Sequence, residues 1–513
     1  MKGRLVTSAA PLPIPRAAGS LPFIGHALKM RDNLAFIDSL RDTRQPLIEI
    51  VLQPGTRTIV VQDPALIHQM LKTLAPTLDK GRLYDKLGQL LGDSVVTATG
   101  RPHVRKRRQL QPAFAHTEIS RYVDIMRTEV TATITRWQPG QPLDVREAMV
   151  ALSLDMLAKT VFAGSLDDAV FRRLRSDLSV VMNGVGVRLM LPDWAERLPL
   201  PFNRRFDRAR AGVRATVNTA VQELQASGHD TADMLSMLLR AIDEETGKPL
   251  TGHQIASEIL TLAVAGTETT ASVLSWALYE LARHPRIEAR VLAELDHVLG
   301  ERDITLDDMP RLPYLNHVIT ETLRLHHPGW IVTRRTTEET PLGPWTLPAG
   351  TELAYCQHAL HRDPERFPDP LTFHPDRWND TTQEPPPGAF LPFGDGKHKC
   401  MGDRFARTEM VTALATMLRT IRLQLPHNHT IRQTARLTVR PHALKMTIHP
   451  RNHPPTQTPT NTPTNKRTTP PKTPLTALGP GPVTRRTRGW HGLKTLGHLP
   501  LVPYYAGPYA STA

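Results

Sequence analysis

The sequence predicts a mainly α-helical domain with a minor β region, and three observations lead to that prediction. Long helical patterns of apolar residues fill most of the chain up to residue 450. β-prone runs are confined to three short stretches, 46–63, 342–355 and 437–448. The 513 residues include only Cys356 and Cys400, which excludes a disulfide framework and leaves a large apolar core as the source of stability.

Composition divides the chain into three parts. Residues 1–20 are predicted to be an N-terminal extension, 21–450 one large domain, and 451–513 a disordered tail. The tail has no Asp or Glu and eight Lys or Arg, out of a net charge of +14, and its Pro/Thr repeats disfavour helix and strand. Attraction of this tail to nucleic acid is an open alternative, but a passive extension without a nucleic-acid partner is the favoured interpretation.

The N-terminus predicts neither a signal peptide nor a membrane anchor. Residues 1–10 contain no long apolar run, and Pro11, Pro13 and Pro15 follow directly. The two cysteines suit a reducing compartment. We therefore expect a soluble, cytoplasmic protein of bacterial type.

The individual elements follow in chain order. The stretch 46–63 predicts a β-hairpin, and Asp63-Pro64 predicts a capped helix start. The longest helix begins at a capping box, Thr251 to Gln254, and ends at His284-Pro285, about 50 Å later. Glu268 is the one charged residue near its middle, and a buried carboxylate there is costly unless it has a task.

The most informative run is residues 391–402, LPFGDGKHKCMG, which precedes a helical pattern. Cys400 should lie near a helix N-terminus, where free N–H groups and the helix dipole favour the thiolate and lower its pKa. Gly396 can adopt a positive φ, Gly402 allows a flat ligand to approach, and Phe393 can shield the sulfur. The alternative is a buried cysteine in an ordinary loop.

This run resembles the Phe-x-x-Gly-x-(Arg/His)-x-Cys-x-Gly loop of the haem-thiolate monooxygenases, the cytochromes P450. The resemblance implies the fold of that family over roughly residues 20–450. It also implies haem b as the cofactor, with Cys400 as the axial ligand of the iron and His398 at the basic position of the loop.

Three further segments resemble motifs of the same family. Residues 265–270, AGTETT, are similar to its oxygen-activating segment, which implies that Thr269 hydrogen-bonds O₂ and that Glu268 relays protons from solvent. Gly266 could permit a local widening of the helix, and the alternative is a Thr-rich helix whose hydroxyls bond its own carbonyls. The remaining matches imply a support for the Cys400 loop and a set of ligands for the haem propionates: Glu321, Arg324 and Arg377 for the support, and His103, Arg107, Arg334 and His398 for the propionates.

The same resemblance bears on partners. No flavin or NADPH-binding domain follows the motifs, so electrons are expected from a ferredoxin or flavodoxin and its reductase. Their docking surface is predicted to be a basic face, with ordinary solvated charge as the alternative. The residues of this face are Arg105, Lys106, Arg108, Lys397, Lys399 and Arg404.

The expected substrate is an apolar small molecule, because the residues predicted to line its pocket are apolar. These are Leu260, Val264, Ala265, Ile331, Val332 and the stretch 180–187. Several segments are similar to bacterial sesquiterpene oxidases of the pentalenene and epi-isozizaene type, which implies terpene hydroxylation with O₂. The alternatives are a fatty-acid or polyketide hydroxylase, a non-oxygenating haem-thiolate enzyme, and a haem carrier or sensor, although the Glu268-Thr269 pair counts against the last two.

Overall fold

A computed structural model describes residues 13–53, 56–162, 167–188, 193–227, 234–243, 245–379, 384–426 and 431–451. Most of the predicted tail lies outside these residues, and its disorder stays a prediction. Arg451, the first residue of that tail, belongs to the described part. Its backbone N–H donates to the carbonyl of Thr420 at 2.9 Å, and its guanidinium contacts Glu288.

Helices dominate the described residues, as the sequence predicts. Their bounds are α1 Asn33–Arg41, α2 Pro64–Leu71, α3 Arg82–Leu91, α4 Gly100–Leu110, α5 His116–Thr135, α6 Val145–Phe162, α7 Asp168–Arg188, α8 Asp193–Glu196, α9 Pro201–Ser227, α10 Met234–Arg240, α11 Gly252–Arg283, α12 Pro285–Leu299, α13 Pro313–Leu325, α14 Gln357–Leu360 and α15 Asp403–Thr420. Asp63 caps α2 by accepting a hydrogen bond from the Leu66 N–H, as predicted.

The strands are short and form small sheets. Their bounds are β1 Leu47–Gln53, β2 Thr56–Val61, β3 Leu78–Asp79, β4 Pro142–Asp144, β5 Val332–Thr336, β6 Thr340–Leu342, β7 Trp345–Leu347, β8 Glu352–Tyr355, β9 Ile421–Gln424, β10 Gln433–Ala435, β11 Val439–Pro441 and β12 Lys445–Pro450. The largest sheet has the order β1-β2-β8-β5-β3, and β4, β12 and β9 form a second one.

All three predicted β regions contain strands, but β3, β4, β5, β9 and β10 lie outside those regions. Of the missed strands, β5 is the one that carries Arg334. This strand pairs antiparallel with β8 and with β3. The sequence placed Arg334 just ahead of a strand region, whereas the structure places it within β5, opposite Leu353. The strand was missed because its partners are distant in sequence and its own pattern mixes apolar and basic residues.

Helix α11 is the centre of the helical part. The predicted capping box is present, since the Thr251 hydroxyl accepts from the Gln254 N–H and the Gln254 side chain accepts from the Thr251 N–H. The helix packs against α6, α9, α13 and α15, and most of its residues are buried. Its 32 residues therefore carry the Glu268-Thr269 segment into the interior of the domain.

None of the described helices is both long enough and apolar enough to cross a membrane.

Candidate active site

The loop before α15 has a backbone that is closed by its own hydrogen bonds. The Cys400 N–H donates to the Phe393 carbonyl at 2.8 Å, and the Lys399 N–H donates to the Gly396 carbonyl at 3.0 Å. Gly396 has a φ of +65°, and a Cβ there would lie 2.0 Å from the carbonyl oxygen of Leu71. Only glycine fits this position, because both the conformation and the close approach exclude a side chain.

The Cys400 residue is exposed to solvent, but the protein around its sulfur still shifts the pKa of the thiol. Burial raises the pKa of the Cys400 thiol, and this effect outweighs the opposing hydrogen bond from the Gly402 N–H and the charges of Arg107 and Lys399. The predicted lowering of this pKa is therefore wrong for the protein alone.

Glu321 and Arg324, predicted to support the loop, form an ion pair whose two side chains are both 0% exposed. The Arg324 Nη2 lies 2.9 Å from Oε1 of Glu321, and the Arg377 Nε donates to the same oxygen at 3.0 Å. The sequence missed a third donor, the Trp378 indole N–H, which lies 3.0 Å from Oε2 of Glu321. The carboxylate is thus fully paired, as a buried charge requires.

Two histidines that the sequence analysis did not single out connect this ion pair to the Cys400 loop. Arg324 donates to the carbonyl of His361 at 2.9 Å, and the His361 Nε2 accepts from the Leu391 N–H at 3.0 Å. His327 Nε2 lies 3.1 Å from the carbonyl oxygen of Pro392. Burial lowers the pKa of both histidines. A neutral His361 ring can accept at Nε2, as its bond to the Leu391 N–H requires. The His327 ring has a carbonyl oxygen at each nitrogen, and in its neutral form it donates to one of them. The start of the loop is therefore held by groups that lead back to Arg324.

The residues predicted to bind propionates form a cationic cluster. The rings of His103 on α4 and His398 in the loop are 4.4 Å apart, and Arg107 donates to the Lys399 carbonyl at 2.7 Å. Arg334 is buried in β5. Lys80 joins this cluster although the sequence gave no sign of it. Its ammonium group is buried and donates to the carbonyls of Val95 and Val96 at 2.9 and 2.7 Å.

The electrostatics of this cluster fit a doubly anionic ligand such as haem. Burial and the neighbouring positive charges lower the pKa of His103 to about 3, of His398 to about 2 and of Lys80 to about 7. Nδ1 of His103 and Nε2 of His398 are buried and have no hydrogen-bond partner among the described residues. The cluster is positively charged and contains two ring nitrogens without hydrogen-bond partners among the described residues, so it is suited to bind two carboxylates.

In the middle of α11, Glu268 and Thr269 have different surroundings. Glu268 is buried, and the Thr438 hydroxyl donates to its Oε2 at 3.3 Å. Thr269 is half-buried and donates to the Ala265 carbonyl at 2.6 Å, which is the back-bonding that the sequence left open as an alternative. The helix is a regular α-helix throughout, so the local widening considered at Gly266 is absent.

The residues predicted to line a substrate pocket differ in their exposure and in the clusters on which they pack. Ala265 is exposed on the same side of α11 as Thr269, one turn away. Val264 is 5% exposed and Leu260 is 0% exposed, and both belong to the main apolar core, so their place in a substrate pocket stays a prediction. Ile331 and Val332 are half-buried and pack on the two smaller apolar clusters around the large sheet.

Comparison with known families decides the identity of this site. The family model described as cytochrome P450 matches residues 15–448. The chain belongs to the cytochrome P450 family. It is a haem-thiolate monooxygenase, and the family cofactor is a haem whose iron is held by a cysteine thiolate. The predicted family and the predicted fold class are both confirmed.

Relatives of this cytochrome P450 include two Streptomyces oxygenases. The chain is 42% identical over 412 residues to cyclooctat-9-en-7-ol 5-monooxygenase of Streptomyces melanosporofaciens, which covers 80% of this chain and 89% of the relative. It is 36% identical over 438 residues to pentalenene oxygenase of Streptomyces avermitilis, covering 85% and 95%. A crystal structure of the cytochrome P450DA heme domain is similar, with a TM-score of 0.77 and 26% identity over 86% of this chain and 98% of that one.

The basic face predicted for a redox partner of this cytochrome P450 is smaller than the sequence suggested. Lys106 is buried, with its ammonium nitrogen 3.4 Å from Glu258 and 3.3 Å from Asp93. Arg105 pairs with Asp243 at 3.3 Å. Lys397 is half-buried and donates to the Ala75 carbonyl. The exposed members of the predicted face are therefore Arg108, Lys399 and Arg404.

Proposed function

We propose that Cys400 is the thiolate ligand of a haem b and that this cytochrome P450 oxidises a terpenoid. One observation carries the assignment of the ligand. Of the two cysteines, Cys400 is exposed in a closed loop next to the cationic cluster, whereas Cys356 is buried ahead of α14. Burial raises the pKa of both thiols, that of Cys356 to about 12, so exposure in the loop is the property that distinguishes Cys400.

The cationic cluster is proposed to hold the haem propionates. His103, Arg107, Arg334 and His398 supply the donors that the sequence suggested, and Lys80 adds an ammonium group. Two observations support this role, the unused nitrogens of the two imidazoles and the lowered pKa values of the histidines and of Lys80. An anionic ligand would relieve the repulsion between these groups.

The chemistry supplied by the bound haem is insertion of one oxygen atom from O₂ into a C–H bond. We assign Glu268 and Thr269 the handling of protons for that chemistry. The Thr269 hydroxyl, on the partly exposed side of α11, would give up its bond to the Ala265 carbonyl in order to donate to oxygen. The buried Glu268 carboxylate would take protons from solvent and pass them to the Thr269 Oγ1.

A terpenoid substrate is supported by the relatives and by the chemistry of the site. The relatives are named for cyclooctat-9-en-7-ol and pentalenene, which are terpenoids that offer almost only C–H bonds to a pocket. Ala265, Val264, Ile331 and Val332 present methyl groups and no ionisable group to a ligand. An apolar lining of this kind selects by shape and area rather than by hydrogen bonds.

Electrons are proposed to come from a separate ferredoxin or flavodoxin and its reductase. The exposed Lys399 and Arg404 lie within four residues of Cys400, and the exposed Arg108 follows Arg107, which donates to the Lys399 carbonyl, so an acidic partner would meet a positive surface there. Substitution of Arg404 by Glu should slow reduction by the partner and weaken its salt dependence, while the affinity for substrate stays unchanged.

The substrate class is tested by titration of the haem-loaded protein with three kinds of ligand. The ligands are pentalenene, a medium-chain fatty acid and a macrolide, and the signal is the shift of the haem from low to high spin. We expect a saturable shift with the terpene at the lowest concentration. Tighter binding of the fatty acid or the macrolide would refute the terpenoid assignment while leaving the monooxygenase activity in place.

A further inference from the structure

The C-terminal hairpin formed by β10 and β11 reaches the acid of the active site. Its turn ends at Thr438, which is buried and donates to Oε2 of Glu268 across 170 residues of sequence. The carbonyl of the next residue, Val439, accepts a hydrogen bond from Ser272, one turn further along α11. The hairpin therefore contacts α11 at the level of the Glu268-Thr269 pair and one turn beyond it.

The same hairpin is attached to the segment that leads into β5. The Val439 N–H donates to the Pro328 carbonyl at 2.8 Å, and the Trp330 indole N–H donates to the Arg436 carbonyl at 2.9 Å. Trp330 and Val439 are buried in one apolar cluster, on which Ile331 also packs. The chain on either side of Ile331 and the hairpin thus form one packed unit. A displacement at Ile331 would be transmitted to Thr438 through these contacts.

Charges on this hairpin also surround the acid. Arg440 follows Thr438 by two residues and is half-buried. Burial and the nearby Arg146 lower the pKa of Arg440, and the negative charge of Glu268 opposes them. Arg436 and Glu147 act on Arg440 as well. Glu268 therefore belongs to a small group of charges around Arg440, to which the hairpin contributes Arg436 and α6 contributes Arg146 and Glu147.

We propose that Thr438 is a positioning residue for Glu268 and that the hairpin couples substrate contact at Ile331 to proton delivery. The inference rests on the proposed role of Glu268. While Thr438 holds the carboxylate, Glu268 is turned toward the hairpin, and Thr269 bonds its own helix instead. Movement of the hairpin frees the Glu268 carboxylate to take one proton from solvent and then to pass it to Thr269 Oγ1, while the Thr269 hydroxyl gives its own proton to oxygen, so that both side chains return to their first states.

The hairpin supplies its own matched control. Thr434 lies on β10 opposite Arg440, is half-buried like the rest of that strand, and donates its hydroxyl to the Arg440 carbonyl rather than to Glu268. Thr438→Val and Thr434→Val remove one hydroxyl each from the same hairpin. Thr438→Ser keeps the hydroxyl that contacts Glu268 and removes only a methyl group.

The primary measurement is product formed per NADH consumed by the haem-loaded enzyme with its ferredoxin system. We expect Thr438→Val to lower this ratio by about fivefold, the factor that corresponds to the loss of one hydrogen bond. Thr438→Ser and Thr434→Val should match the wild type. Equal losses in Thr438→Val and Thr434→Val, or no loss in Thr438→Val, would overturn the proposal.

A second measurement does not depend on turnover. Crystal structures of wild-type and Thr438→Val protein, with and without substrate, report the Glu268 side chain directly. The wild-type carboxylate should leave the hairpin when substrate binds, and in Thr438→Val it should have left already. A Glu268 carboxylate at the same position in all four structures would contradict the proposal, even if the variant proved too unstable for kinetics.

Glu268→Gln separates this inference from the proposed function. If Glu268→Gln lowers the product formed per NADH, and the double variant with Thr438→Val lowers it no further, then Thr438 acts through Glu268 as proposed. If Glu268→Gln is uncoupled and Thr438→Val alone is not, then only the role of Thr438 fails. If Glu268→Gln stays fully coupled, then the assigned role of Glu268 and the inference fail together.

Discussion

The Cys400 loop is tied to its surroundings by backbone bonds and by a fully buried ion pair, whereas the Glu268-Thr269 segment depends on single hydroxyl contacts. The Leu391 N–H and the Pro392 carbonyl each contact a histidine ring, and Arg324 donates a hydrogen bond to the backbone carbonyl of the histidine that contacts Leu391. Glu268 has the Thr438 hydroxyl, and Thr269 bonds its own helix. The comparison indicates that the loop proposed to bind the haem iron is built to stay in place, and that the segment proposed to handle protons is built to change partners. Mutations in the first should cost stability, and mutations in the second should cost function.

The largest effect is expected from Glu321→Ala. Removal of this carboxylate leaves Arg324 buried without its partner, at a cost of about 3–5 kcal/mol in the free energy of unfolding. The matched control is Arg290→Gln, which removes the pair with Asp376, 2.7 Å apart and largely exposed, at about 0–1 kcal/mol. Denaturant unfolding and haem content measure both. Equal losses of unfolding free energy in the two variants would show that the buried Glu321–Arg324 pair contributes no more to stability than an exposed pair.

The next effect concerns function alone. Thr269→Ala should keep haem content, stability and the spin shift with substrate, yet lower product per NADH by at least about tenfold and release peroxide instead. Ser275→Ala is its control, because Ser275 makes the same kind of bond to the carbonyl four residues before it on α11. Full coupling in Thr269→Ala would remove this residue from the proposed proton route. Uncoupling in Ser275→Ala would indicate a general defect of the helix.

A further effect depends on pH and concerns a residue of α15, the helix that follows the Cys400 loop. Glu409 on α15 is buried, and desolvation raises its pKa to about 8 against hydrogen bonds from Ser153 and Thr270. The unfolded chain releases this proton near pH 4.5 and the folded protein near pH 8, so this group makes the folded protein progressively less stable as pH rises through that window.

Glu409→Gln removes this titration. The difference in free energy of unfolding between the variant and the wild type should therefore shift in favour of the variant from pH 5 to pH 8, the interval set by the raised pKa. Thermal unfolding at several pH values measures it. A difference that stays constant with pH would show that Glu409 is ionised in the folded protein.

The smallest effect is expected at the tail. A chain that ends at Arg451 should keep its haem content, substrate affinity and thermal stability, since the motifs of the site all precede this point. A chain that ends at Pro450 loses the bonds of Arg451 to Thr420, Ile421 and Glu288 and should unfold at a slightly lower temperature. Loss of haem from the chain ending at Arg451 would contradict the prediction of a passive tail.

Sequence reasoning succeeded where the signal is local. The capping box of α11, the Asp63-Pro64 helix start and the Glu321–Arg324 pair each depend on residues three or fewer positions apart. It failed where partners are remote. The bonds of Thr438 to Glu268 and of His361 to Leu391 join distant segments, and Lys80 becomes part of the cationic cluster only after the sheet has formed.

The wrong predictions have a common physical cause. Burial was inferred from residue type, but it is set by the whole fold. Lys106 is an ordinary surface residue by sequence and is buried against Glu258 in the structure. Likewise, the pKa of the Cys400 thiol is raised by desolvation, which depends on the whole fold and cannot be read from neighbouring residues.

The assignment of Cys400 as the haem ligand is tested most directly by the spectrum of the reduced, CO-treated protein. Wild-type protein and Cys356→Ser should both show the strongly red-shifted Soret band of a thiolate-ligated haem. Cys400→Ser should lack that band, and Cys400→His should replace it with the spectrum of an imidazole-ligated haem. Loss of the band in Cys356→Ser, or its survival in Cys400→Ser, would contradict the assignment on which the whole account of the site depends.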